Sequence, residues 1–302
     1  MTRLLTTLAL LALTATAPLF AQSDLKEQLV VPLTDPGKPG SMEVTLINGS
    51  IHVVGYSGKD IVIDATSGTA GRAASGKNRQ GQNERLNENL NMNLNVNVNT
   101  NRRDDGRLSE GMRRITPNSA FDLTAEEKNN AVKVNSGSLQ KAVNLTIKVP
   151  QRFSLKLHTI NNGDITVENV TGELEISNIN GAIELTNISG SAVAQTVNGD
   201  LKAIFRDVDN KTPMAFSTLN GKVDVTFPAS VKANVKLKSD MGDVYSDFDI
   251  DVDKSQPKAT RSNQSGMYRV TVDDWVYGKI NNGGPEVMMK TMQGSIYVRK
   301  AK

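Results

Sequence analysis

Glycines fall at a fixed interval in the middle of this chain. Gly163, Gly172, Gly181, Gly190 and Gly199 stand nine residues apart, and the segments they open read GDITVENVT, GELEISNIN, GAIELTNIS, GSAVAQTVN and GDLKAIFRD. Inside each unit the third position is apolar: Ile165, Leu174, Ile183, Ala192, Leu201. So is the fifth: Val167, Ile176, Leu185, Ala194, Ala203. Positions two, four and six are mostly polar, as in Asp164, Thr166 and Glu168. Alternation at period two specifies a short strand with one buried face. The eighth position holds Val170, Ile179, Ile188 and Val197, which are expected to point inward just before a corner.

The corners are set by the residues around each glycine. Asn162-Gly163, Asn180-Gly181, Asn198-Gly199 and Asn220-Gly221 are turn dipeptides, because Asn and Gly accept positive φ at low cost. These stronger corners recur at every second unit, so the expected repeat is an 18-residue coil of two strands. One such strand cannot bury its apolar side alone, whereas stacked coils share a continuous seam. A meander of Asn-Gly hairpins would also explain the turns. It would not explain the even spacing or the in-phase apolar positions. The expected fold is therefore all-β, a single β-solenoid with structural turns at Gly163, Gly172, Gly181, Gly190, Gly199 and Gly221. Weaker copies are seen at Leu46-Ile47-Asn48-Gly49, Thr218-Leu219-Asn220-Gly221, Ser239-Asp240-Met241-Gly242 and Thr291-Met292-Gln293-Gly294.

The pattern stops between Ser67 and about Ala120, a Gly-, Ser-, Asn- and Arg-rich stretch that reads as a disordered insertion. Within it, Asn occupies every odd position from Asn87 to Asn101. That alternation suits a strand with an asparagine face, or a segment that pairs with another chain. At the N-terminus, Arg3, an apolar run from Leu4 to Ala15 and small Ala21 read as a signal peptide over 1–21. The run is too short to span a bilayer, and no second long apolar run follows, so residues 22–302 are expected as one exported repeat domain without a transmembrane segment.

Composition narrows the function. Cysteine is absent, which excludes disulfides, thiolate metal sites and a lipid-modified cysteine. The net charge of +3 is too small for general binding to nucleic acid. Aromatic residues make up 4% of the chain, so stacking platforms are scarce.

The units NGSI, NGDL, NGKV and QGSI, each following a short strand, resemble a known bacterial group. It is the putative-adhesin family of β-strand-repeat proteins, a domain of unknown function. The closing run from Gly283 to Lys300 is similar to that family's C-terminal end. The resemblance spans roughly Met42 to Arg299. It implies a β-solenoid and a cell-envelope setting, and it brings no catalytic residues. The Asn-rich insertion departs from the pattern.

Searches for chemistry find little. His52 and His158 are too far apart in sequence to suggest a triad or a zinc site, and read as strand residues facing solvent. Asp247, Asp249, Asp251 and Asp253 alternate, and strand geometry spreads such acids rather than converging them on calcium. Asp273-Asp274-Trp275 holds the only tryptophan, expected as a core anchor or cap rather than a sugar contact. The Asn-X-Ser/Thr triplets at Asn144, Asn169 and Asn187 fall in expected strands and read as chance.

No catalytic, cofactor or metal residues are therefore expected. The expected function is a non-catalytic envelope scaffold or adhesion-type module in the periplasm or at the cell surface. Its partner would be an envelope protein or glycan, met through polar faces bearing Glu168, Glu175, Glu184 and Lys202. A sensory or assembly partner of another envelope protein stays open. So does an enzyme acting on envelope polysaccharide, for which no clustered acids are seen.

Overall fold

The computed structural model describes residues 26–68, 122–136, 141–161, 163–253, 259–264, 267–272 and 275–302. The expected signal peptide, Asn162, residues 69–121 of the insertion, and Asp273 and Asp274 lie outside the described residues. Ser67 and Gly68, placed in the insertion from sequence, belong instead to a strand.

The described residues form strands and no helix. In chain order they begin with β1 (Lys26–Val31), β2 (Gly40–Asn48), β3 (Ile51–Tyr56) and β4 (Ile61–Gly68). Then come β5 (Leu123–Lys128), β6 (Ala131–Ser136), β7 (Ala142–Pro150), β8 (Phe153–Asn161), β9 (Ile165–Glu168) and β10 (Thr171–Asn178). The middle continues with β11 (Ile183–Gln195), β12 (Leu201–Val208), β13 (Met214–Asn220), β14 (Val223–Phe227), β15 (Ala233–Ser239) and β16 (Val244–Ser246). The chain ends with β17 (Asp251–Val252), β18 (Ala259–Gln264), β19 (Met267–Val272), β20 (Val276–Ile280), β21 (Glu286–Gln293) and β22 (Ile296–Lys300).

The strands form two layers that β11 joins, its first half in one and its second half in the other. The front layer runs β5-β6-β2-β8-β10-β11-β13-β21-β15-β20-β17. The rear layer runs β1-β4-β7-β3-β9-β11-β12-β14-β22-β16. Pairing is parallel through the body, and antiparallel strands close the ends: β5, β4 and β1 at one, β20 and β17 at the other. A separate hairpin joins β18 and β19.

In the middle, chain order is spatial order. Ile165 faces Ile183, which faces Leu201, and Thr171 faces Ser189. The ends depart from the expected stacking of successive coils. Strands β2 and β3 lie between β6–β7 and β8–β9, although only Gln151 and Arg152 separate β7 from β8 in sequence. Likewise β21 and β22, the last strands of the chain, lie between β13–β14 and β15–β16. Each inserted pair of strands is therefore hydrogen-bonded to a neighbour along both edges.

The inward residues of both layers make one core. All ten expected third- and fifth-position residues are buried, Ile183 and Leu185 among them. Where Ala192, Ala194 and Ala203 leave the interior small, Phe205 and Phe216 point inward, so large and small residues alternate. Phe205 meets Phe216 edge-on at 6.1 Å and stacks on Phe227 at 5.3 Å.

The two kinds of corner are not equivalent, and this breaks the nine-residue reading of the eighth position. Val170 and Ile188 are fully buried, but Ile179 is half-exposed and Val197 is 37% exposed. At the first corner, left-handed Asn169 (φ 61°) and Asn187 (φ 54°) bend the chain and turn the next residue inward. Those two asparagines therefore sit at bends, not in plain strand. Gly172 and Gly190 lie inside β10 and β11, facing each other, rather than in turns.

At the second corner the inward polar residue comes three before the glycine, or four in the case of Thr159 and Gly163. The hydroxyls of Thr159, Thr196, Thr218, Thr291 and Ser239 donate to the carbonyls of Gly49, Gly181, Gly199, Gly221 and Gly294, at 2.7–3.0 Å. Asn178 Nδ2 donates to Gly163 in the same way at 2.9 Å, but its Oδ1 is buried without a partner. Outside this row, Asn198 Nδ2 donates to Asn180 Oδ1, and Asn220 Nδ2 to Asn198 Oδ1.

The glycines of this corner stack in a column. A Cβ on Gly163, Gly181, Gly199 or Gly221 would land on the carbonyl oxygen of Gly49, Gly163, Gly181 or Gly199 respectively. Gly163, Gly181 and Gly199 have no positive φ. Close approach between coils, rather than the turn conformation expected from sequence, demands glycine at those three.

Candidate functional site

Parallel in-register strands place equivalent outward residues side by side, so each face is a set of rows running along the stack. On the front, Lys133 faces Glu43, Glu43 faces Lys156, and Lys156 faces Glu175. The row then turns apolar at Val193, Ala215 and Met288. Lys156 Nζ lies 3.0 Å from Glu175, and Lys133 Nζ lies 3.8 Å from Glu43. The hydrogen bond that the Lys156 ammonium donates to Glu175, followed by the Glu175 charge, raises Lys156 above its ordinary pKa. A groove of about 740 Å³ follows this row, with Ser154, Glu173 and Ser191 along it and Thr212 and Pro213 as a wall. A second groove of about 490 Å³ lies beside it, lined by His158, Ser177, Ile179, Gln195, Val197 and Leu219 among others.

The rear face is polar and internally paired. Lys202 Nζ lies 2.8 Å from Glu184, and His52 Nε2 lies 3.1 Å from Glu168. Arg299 Nε donates to Asp224 at 2.7 Å, and that bond is the main reason the guanidinium is held above its ordinary pKa. Tyr297 stacks on Tyr245 at 5.2 Å. The Tyr245 hydroxyl donates to Asp243 at 3.2 Å, which raises the phenol's pKa.

The four residues expected as one contact surface are divided. Glu175 is on the front, whereas Glu168, Glu184 and Lys202 are on the rear, each paired with a neighbour. His52 and His158 are likewise on opposite layers, in β3 and β8. His52 bonds to Glu168 rather than merely facing solvent.

Asp247, Asp249, Asp251 and Asp253 are all exposed. The Asp247 N–H donates to Val298, and its carboxylate accepts from Lys300 N–H. Among the described residues, no three His, Cys, Asp or Glu side chains are grouped to hold a metal. Trp275 is half-buried, with Lys236 Nζ 4.6 Å and Lys238 Nζ 5.9 Å from its ring centre, a cation–π arrangement. The inward Thr and Ser caps and the front rows were not singled out from sequence. The caps carry a signal, a hydroxyl residue three before a corner glycine, that recurs in the very units quoted for the repeat.

The family model described as Toastrack DUF4097 matches residues 126–299, more than half of the chain. The chain belongs to this family. The Toastrack match covers β6 through β21 and most of β22, so it contains the regular middle and the inserted C-terminal strands. It begins after β2 and β3.

Two solved structures are similar in outline. One is titled a putative cell adhesion protein from Clostridium sporogenes, with 11% identity and a TM-score of 0.45, covering 92% of this chain and 100% of that one. The other is titled a putative adhesin from Bacteroides fragilis, with 10% identity and a TM-score of 0.35, covering 93% of this chain and 98% of that one. No curated protein matches the sequence. Among the described residues, no helix is long and apolar enough to cross a membrane.

Proposed function

We propose that this chain is an exported, non-catalytic envelope protein, an adhesion-type binding module or scaffold that works through its front face. One observation carries the reading: a groove of about 740 Å³ crosses β6, β2, β8, β10 and β11, so it spans many coils rather than ending in a closed pocket. Such a long shallow surface suits an extended partner, an envelope glycan or protein. The 18-residue coil underlies that surface, and Gly163, Gly181, Gly199 and Gly221 serve it structurally by letting successive coils approach. The signal-like residues 1–21 support export to the periplasm or the cell surface. No cofactor enters this reading.

A second reading has its own observation. Edge strand β1 pairs with β4 and exposes Leu29 (38%) and Val30 (52%). A strand of another envelope protein would add there, which makes the chain an assembly or sensory partner. Fractionation and protease treatment of intact cells test export. Retention of the purified chain on envelope material tests the module. Release of material by turnover of an envelope polymer would overturn the non-catalytic reading, and a single stoichiometric protein partner that is lost on deleting 26–31 would select the second.

A further inference from the structure

We infer that the front face takes a neutral, extended, β-linked polysaccharide, laid along the stacking axis on a strip beside the charged groove. The inference rests on reading that face as a binding surface.

Two rows define the strip. Thr45, His158, Ser177, Gln195 and Ser217 stand in lateral register, one from each of five neighbouring coils. Two residues further along the chain from each stand Ile47, Ile160, Ile179, Val197 and Leu219, the third and fourth just past the ends of β10 and β11. Val197 and Leu219 are 37% and 43% exposed, and the three isoleucines are half-buried. Each coil thus presents one hydrogen-bonding side chain and one aliphatic side chain, in the same order, five times over. Gln195 Nε2 donates to Ser177 Oγ at 3.3 Å, which aligns two of the polar rungs. The groove of about 490 Å³ is lined by His158, Ser177, Gln195 and Ser217 of the polar row and by Ile179, Val197 and Leu219 of the aliphatic row, and it ends against Asp240 and Lys290.

Charge and spacing choose the occupant. With histidine neutral, none of the ten positions is charged, although 22% of the chain is. The same coils on the rear carry Glu168, Glu184, Lys202 and Asp224. A phosphorylated headgroup, an acidic peptide or a uronic acid polymer laid along the five coils would meet a cation only at the end, where Lys290 stands in register beyond Ser217, and would lose hydration over the rest. The rungs repeat at the strand spacing, about 4.8 Å. An extended peptide places same-face side chains about 6.6 Å apart and drifts out of step. An extended β-linked pyranose chain advances about one rung per sugar. Each ring also offers an apolar C–H face for the aliphatic row and hydroxyls for the polar row.

The test is calorimetric titration of the mature protein with chitohexaose and cellohexaose, and with a hexamer of galacturonic acid as the charged probe. The neutral hexamers bind and the acid hexamer does not. The double variant Val197→Lys, Leu219→Lys changes outward side chains only, and a melting curve verifies its fold. It weakens binding about tenfold or more, because an unpaired charge is placed under a sugar face. Gln195→Ala weakens it by a smaller factor, and Glu184→Ala on the rear leaves it unchanged.

Binding of neither neutral hexamer, equal binding of the acid hexamer, or unchanged affinity in the lysine double variant overturns the inference. The outcomes separate the two levels of the argument. Retention on envelope material that survives the double variant removes the glycan strip and leaves the binding module standing. Failure of the unaltered protein to be retained on any envelope material removes the module itself.

Discussion

The middle of the molecule and its two ends are built from the same strands by different rules. From β8 to β14 each coil lies on the one that precedes it in the chain. At the ends, β2–β3 and β21–β22 are threaded between coils made elsewhere in the sequence. The middle can form by local propagation, each coil adding to its neighbour. The ends close long loops before any contact compensates the ordering entropy. A repeat thus fixes which face of a strand is buried, and does not by itself fix the order in which coils stack.

Removing residues 286–302 is the harshest way to probe that difference. The deletion takes out Val287, Met289, Ile296 and Val298, all buried, and uncovers the coils on both sides. Each such side chain is worth about 1.5–3 kcal/mol, so cooperative unfolding should be lost in a calorimetric melt. Deleting 26–31, an edge strand with five of six residues exposed, should lower the midpoint by only about 5 °C. Similar melts for the two truncations would make the C-terminal strands a cap rather than an inner layer.

Next in size is a pair of neighbours in the middle. Ile183→Asp buries a charge in the core and should cost about 4 kcal/mol or more. Glu184→Lys breaks an exposed pair with Lys202 and should cost under about 1 kcal/mol. Equal denaturant midpoints for these two would show that the assigned strand phase is wrong.

The corner row supplies a stabilising change. Asn178 stands where its neighbours have Thr159 and Thr196, and its Oδ1 is buried without a partner. Asn178→Thr should keep the bond to Gly163 and remove the orphan acceptor, a gain of about 1 kcal/mol in urea unfolding. A loss of stability would mean that the row does not set the corner.

The smallest effect concerns acid. The Asn130 N–H, then the Thr34 N–H and hydroxyl, hold Glu127 below the ordinary carboxylate pKa. The folded pKa lies below the unfolded one. The contact therefore stabilises above the unfolded value and is lost as pH falls through the folded value. Backbone amides near Thr34 and Asn130 should open to hydrogen exchange on acidification before those of β11, and Glu127→Gln should remove the difference. Simultaneous opening would contradict it.

Much of the middle was legible in sequence. Alternation placed Ile165, Ile183 and Leu201 in the core, and the chain bends at Asn180-Gly181, Asn198-Gly199 and Asn220-Gly221. The glycine spacing was legible while its cause was not: a stack of carbonyls is invisible until coils are superposed, so φ was invoked instead. The eighth position misled because nine residues span two unlike corners, one turned by left-handed asparagine and one by stacked glycine. The contact surface was misjudged for a related reason, since strand alternation says that Glu175 and Glu184 both face outward and not that they face opposite ways. The interleaved ends carried no local signal, because the partners of β2 lie far along the chain, Ser41 facing Ala131 in β6 and Met42 facing Leu155 in β8.

The order of coils can be read directly by cross-linking, and the absence of native cysteine makes the result unambiguous. Tyr297 faces Asp224 on one side and Tyr245 on the other. Registered neighbours are about 4.8 Å apart, inside the 4.4–6.8 Å that a disulfide spans between Cα atoms. Asp224 and Tyr245 are separated by the whole of β22. Under mild oxidation, Asp224→Cys with Tyr297→Cys should form a bridge, and so should Tyr245→Cys with Tyr297→Cys, while Asp224→Cys with Tyr245→Cys should stay reduced. A ready bridge between positions 224 and 245, with none between 224 and 297, would show that the coils stack in chain order and that the C-terminal strands are not inserted.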